Sequence, residues 1–165
     1  MRDDRFRAIH RGGSLDPERH RQLALWAAAC AEHVLPLFTR RHPLDDRPGR
    51  AIETARAWAA GEVSVGAART AAVAAHAAAR EATDVAAREA ARAAGHAAAT
   101  AHMADHSLGP AWYAIRAVRA SVEPADVEAT DRERAWQREH LPSSIRELVL
   151  SASEAPKFRG ELCRD

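Results

Sequence analysis

Lysine is almost absent from this 165-residue chain: of 24 basic residues 23 are arginine, and Lys157 lies in Ala155-Pro156-Lys157-Phe158. A phosphate-binding P-loop needs Gly-Lys-Ser/Thr, so a Walker-type nucleotidase is excluded. Cysteine is scarce as well. Cys30 and Cys163 form no disulfide framework, and a reducing cytoplasm is the expected compartment. No stretch approaches eighteen strongly apolar residues without a charge, which excludes a membrane-spanning helix. The opening MRDDRFRAIH is charged and has no apolar core of a signal peptide. An excess of one charge is missing too: 24 Lys+Arg face 23 Asp+Glu, the net charge is +1 and the pI is about 8.0. Nucleic-acid domains show a concentrated basic stripe and a higher pI, so nucleic acid is a poor partner class here.

Alanine is what the sequence has in abundance, 41 residues or a quarter of the chain. It is the strongest helix former and a weak strand former, which predicts an all-α protein. It also thins the core, because each buried alanine contributes one methyl and helices must approach closely to bury anything. The expected fold is a bundle or short solenoid of six to seven helices with close, Ala-rich packing. One helical domain over 16–154 is expected, preceded by an extended arm over 1–15 and followed by a tail over 155–165.

Caps and breakers mark the helices. Asp16-Pro17 starts the first, whose face carries Leu23, Trp26, Cys30, Val34 and Leu37, with Pro36 bending or ending it. His42 to Gly49 reads as a turn-rich connection. The second carries Ile52, Ala55, Trp58 and Ala59 and stops at Gly61. Ser64 caps a third over about 65–81, and Thr83 or Asp84 caps a fourth predicted to run from Val85 to about Asp105. Ser107-Leu108-Gly109-Pro110 separates it from a fifth with Trp112, Ile115, Val118, Arg119 and Val122. A sixth opens at Glu123-Pro124 or, through a capping box, at Thr130 with Glu133. Pro142-Ser143-Ser144 starts a seventh, with Ile145, Leu148 and Val149 on one face. Gly95, flanked at four residues by Ala91 and Ala99, gives a smooth stripe for a neighbouring helix. The tryptophans fall on four different helices, where core filling explains them.

Nine histidines are the one chemically loaded enrichment. His102 and His106, four apart, lie on one face of the predicted fourth helix and are the metal-ligand candidates. A site there needs a third donor, for which His33 or His42 is available. If the third and fourth helices pair level about residues 82–84, His76 and His96 lie about 10 Å apart along the hairpin and do not converge. They then read as buried polar residues bonded to carbonyls of neighbouring helices. Cys30 sits mid-helix on the apolar face as inert core. Ser143 and Ser144 are explained by capping. Arg56, Arg69, Arg80, Arg88 and Arg92 extend from alanine-rich helices toward solvent.

Several strings resemble one known family when taken together and in order. They are Leu23-Ala-Leu-Trp-Ala-Ala-Ala-Cys-Ala-Glu-His-Val-Leu-Pro-Leu-Phe38, Asp46-Arg47-Pro48 with Ala51-Ile-Glu-Thr-Ala-Arg-Ala-Trp58, and Ala75-His76-Ala-Ala-Ala-Arg80. Ala94-Gly95-His96 through His102-Met-Ala-Asp-His106 continues the set, as do Trp136-Gln137, Leu141-Pro142 and Ile145-Arg-Glu-Leu-Val149. The chain is similar, over about 15–152, to small Ala-rich helical proteins identified as immunity proteins of bacterial polymorphic toxin systems. The resemblance implies a cytoplasmic protein that binds and neutralises a toxin domain and performs no catalysis. The chain departs from the family pattern at Ser107-Leu-Gly-Pro110 and at Thr39-Arg-Arg-His-Pro43, where acidic residues are expected.

Binding is therefore the leading expectation, through Arg56, Trp112, Tyr113 and the region of His102, Asp105 and His106. The partner is a toxin domain, with a second copy of the chain as a further possibility, and no cofactor is expected. The alternative is a small enzyme or ligand-binding protein built on His76, His96, His102 and His106, with a His-bound transition metal as one version. A third is nucleic-acid binding through the Arg-rich first fifteen residues, which would be strongly salt-dependent.

Overall fold

The computed structural model describes residues 3–122, 126–158 and 162. Among the described residues there are seven α-helices: α1 (Pro17–Thr39), α2 (Arg47–Ala59), α3 (Val65–Glu81), α4 (Val85–Ala99), α5 (Leu108–Ser121), α6 (Val127–Glu139) and α7 (Ser143–Ser153). Short 3-10 turns lie at Asp4–Phe6, Ile9–Arg11 and Ala104–Ser107. Among the described residues there is no strand, only an isolated bridge between Ala8 and Leu15. The all-α bundle expected from alanine is the fold observed.

The caps act as the sequence predicts. Asp16, Ser64 and Asp84 accept from the backbone N–H three residues on, at 2.9, 3.1 and 2.8 Å. Gly61 ends α2 in the left-handed region, with its N–H donating to the Trp58 carbonyl. Such a cap supplies about 1 kcal/mol. Asp84→Ala should therefore lower stability by about that amount in urea denaturation, and an unchanged midpoint would remove the cap from the account.

α4 is the hub, packed by α1, α2, α3 and α5. Eleven of its fifteen residues are buried, nine of them alanine. A helix apolar over most of its circumference belongs inside a bundle, and here the stripe of Arg88, Arg92 and His96 stays partly exposed. Around it runs an alanine core with Phe38 and Ile52 as its large members. A second core of large side chains, including Leu23, Trp26, Ile115, Ile145 and Phe158, joins α1, α5 and α7. Trp26 is buried, with its indole N–H donating to the Gln137 carbonyl at 3.1 Å. Trp58, Trp112 and Trp136 are only half-buried, so core filling describes them in part.

Several boundaries differ from expectation. α4 ends at Ala99, not near Asp105, and His102 and His106 lie in the turns beyond it. Nothing in the alanine-rich run signals that stop. It is fixed from outside: Thr100 Oγ1 donates to the His96 carbonyl, and the Thr100 carbonyl is 2.7 Å from His20 Nε2 on α1. Pro110 falls in the first turn of α5, where a missing N–H costs no helical bond. Pro36 lies inside α1, which continues to Thr39. Thr130 and Glu133 are buried inside α6 and form no capping box. The alternative start at Glu123-Pro124, like Cys163, lies outside the described residues.

The segment expected as an extended arm is folded onto the helices, with Phe6 and Leu15 buried. Three of its arginines make contacts within the protein: Arg5 with Asp3 and Ser151, Arg7 with the Gly12 carbonyl, Arg11 with the His102 carbonyl.

Candidate functional site

Four histidines form one row. His76 on α3 lies 5.1 Å, centroid to centroid, from His96 on α4. His96 lies 5.2 Å from His106, and His106 lies 5.1 Å from His102. The expectation that His76 and His96 stay apart is thus overturned. It took the α3–α4 hairpin to turn round level. Ala82 and Asp84 are instead extended, at φ/ψ of −72/123 and −69/129. Three extended residues reach about 10 Å, enough to offset α4 along α3 and bring the two rings together. Nor do His76 and His96 bond to neighbouring carbonyls as expected; that part is taken by His20 with Thr100.

Two glycines seat the row. A Cβ at Gly95 would lie 2.6 Å from His76 Cε1, and one at Gly109 would lie 2.6 Å from His96 Cγ and 2.9 Å from its Cβ. Each helix thus supplies the gap for the histidine of the helix before it: α4 for α3, and α5 for α4.

The row is held neutral at its centre. Burial, followed by the proximity of His76, His106, Lys157 and Arg92, pushes His96 down to about 3. His76 is lowered by burial and then by Arg80 and Arg92. His96 Nδ1 and His106 Nδ1 are 3.2 Å apart. A hydrogen bond between two ring nitrogens requires one to donate and the other to carry a lone pair, so one Nδ1 must be unprotonated.

His76 and His96 open onto a surface groove of about 540 Å³, lined by Val73, His76 and Arg80 of α3, Arg92 and His96 of α4, and Tyr113 of α5. The Tyr113 ring stacks on His96 at 5.1 Å, with the Arg92 guanidinium 5.8 Å from its centroid. Arg92 also pairs with Glu89 at 2.8 Å, and Arg116 binds the other oxygen of the same buried carboxylate at 3.0 Å. At its far end the row reaches a second, more enclosed pocket of about 300 Å³. Phe6, His20, Trp58, His102 and Asp105 are among its walls.

The remaining candidates lie elsewhere. Arg56 forms a two-pronged ion pair with Glu32 of α1, at 2.7 and 2.6 Å. Trp112 touches Tyr113 at 4.9 Å but turns toward Phe158. His33 and His42, the expected third metal donors, are engaged away from the row. His42 stacks on Phe38. His33 stacks on Trp136 at 3.8 Å and donates to the buried Glu133 at 2.7 Å, while His140 covers Trp136 at 4.1 Å. Among the described residues, no group of three or more His, Cys, Asp or Glu is arranged to hold a metal ion. Cys30 is fully buried, and burial raises its thiol well above the usual range.

Arg80 and Arg92 were read from the sequence only as solvated side chains, yet they flank the row. A signal was present: Val73, His76 and Arg80 are spaced three and four apart, and Arg92 and His96 four apart, so each set shares a helix face.

A family model described as "Imm-5 like putative immunity protein" matches residues 13–144. No curated protein and no solved structure matches.

Proposed function

We propose, from the premise that this chain belongs to the Imm-5 like putative immunity protein family, that it neutralises a toxin domain by direct protein–protein binding. The family match over 13–144 carries the reading. The chemistry of the surface supports it. The groove offers arginine and tyrosine, side chains enriched at recognition surfaces. The cytoplasm is the proposed place of action, where the buried Cys30 thiol would stay reduced. No helix among the described residues is long and apolar enough to cross a membrane.

Convergence of the four histidines favours a second reading, a small ligand-binding protein or enzyme that acts on the toxin or its product. Nucleic-acid binding through residues 1–15 is not the reading proposed: Arg5, Arg7 and Arg11 make contacts within the protein, and the net charge is only +1.

Co-expression tests the leading reading. A toxin domain encoded beside this gene should arrest growth alone, and growth should be restored when this chain is produced with it. Growth arrest that persists with the chain well expressed would contradict it.

A further inference from the structure

We propose that the groove between α3, α4 and α5 is the partner-docking surface and that it receives an acidic segment of the toxin, whose carboxylates meet Arg80 and Arg92. This inference rests on the immunity reading for the identity of the partner, but its chemistry is argued from the groove itself.

The lining of the groove holds two guanidinium groups and no carboxylate. Arg80 is exposed and has no hydrogen bond or ion pair among the described residues. Its sequence neighbour Glu81 feels the charge of Arg80 but accepts its hydrogen bonds from Arg47 of α2 and does not line the groove. Glu89, beneath the groove, is 3% exposed and shared between Arg92 and Arg116, so it leaves no charge to balance Arg80. An arginine held unpaired beside a concave surface is a ready partner for a carboxylate, which it can grip through two parallel N–H donors. The neutral histidines add polar contacts without a charge to desolvate. Val73, 65% exposed, gives the segment an apolar contact at the groove edge.

A phosphate backbone is the other anion to consider. Two arginines on a chain of net charge +1 fall short of the extended basic track that nucleic acid requires. The Tyr113 ring, already stacked on His96 and approached by Arg92, is not free to stack a base.

The test titrates hexaglutamate and a twelve-nucleotide single-stranded DNA into the full chain at low salt, followed by the His76 ring resonances, and then titrates the toxin domain. Hexaglutamate should bind more tightly than the DNA, and R80E should weaken both hexaglutamate and toxin binding at least tenfold. R80K should retain most of the hexaglutamate binding and melt like the parent, whereas R80E, which reverses a charge in the last turn of α3, should stay folded but melt slightly lower. Tighter binding of the DNA, or hexaglutamate binding that R80E leaves unchanged, would overturn the inference. Toxin that binds parent and R80E equally would also overturn it while leaving the immunity reading intact. Hexaglutamate binding that depends on Arg80 in a chain that ignores the toxin would uphold an acidic-segment groove and refute the immunity reading.

Discussion

Gly109→Ala should destabilise the protein by about 2 kcal/mol, and His96→Ala should abolish that cost. Alanine at a helical position ordinarily stabilises by up to about 1 kcal/mol relative to glycine. Here the added Cβ would stand 2.6 Å from His96 Cγ and 2.9 Å from its Cβ. The root of a side chain, fixed to its own backbone, cannot swing aside, so α4 and α5 must separate. Overpacking of this kind costs about 1–3 kcal/mol, more than the helix propensity returns. Removing the imidazole vacates the contested space, and Gly109→Ala should then be neutral or mildly favourable. A double-mutant cycle in urea reads the coupling directly. Gly95→Ala should be milder, because the atoms it meets are the outer ring atoms of His76, which is only half-buried. Additive effects at positions 96 and 109 would mean that the glycine does not seat the histidine.

Acidification should cost more than any single substitution. His96 titrates near 3 in the folded protein and at 6.5 when unperturbed. The unfolded chain therefore binds the proton first. The stabilisation from keeping His96 neutral is fully present above pH 6.5 and is lost progressively as the pH falls toward 3. At 1.36 kcal/mol per pH unit, the loss between pH 7 and pH 4 is on the order of 3 kcal/mol from this residue. His20 and His76 are lowered as well and act in the same direction. Protonating the His96–His106 pair also replaces its hydrogen bond with two donors facing one another at 3.2 Å. Urea midpoints from pH 7 to pH 4 should fall steeply for the parent and less steeply for His96→Gln. Parallel slopes would show that His96 is not the group responsible.

The fold was legible because it is written locally. Asp16, Ser64 and Asp84 cap the helices they were expected to cap, and alanine leaves no competing secondary structure. The site was legible only in its membership. His76, His96, His102, His106 and Tyr113 could each be singled out, but their convergence depends on the extended link over 82–84 and on the end of α4 at Ala99. The second rests on a tertiary contact, His20, eighty residues away, at the Thr100 carbonyl. The Gly95 stripe, legible as a place of close approach, proved to admit a ring and not another helix backbone. The Trp136 sandwich between His33 and His140 was invisible for the same reason, since α1 and α6 lie a hundred residues apart. Arg80 and Arg92 were visible, but a solvated arginine and a recognition arginine look alike until the surrounding carboxylates are placed.

Family membership and an acid-free groove support the proposal of stoichiometric binding. A binding protein and an enzyme differ in one respect that does not depend on the identity of the groove. The direct test is to titrate this chain into a fixed amount of the toxin domain encoded beside it and to measure residual toxin activity. Binding predicts a linear decline that reaches zero at one equivalent. Neutralisation completed far below one equivalent, or activity unchanged at a large excess, would contradict the account.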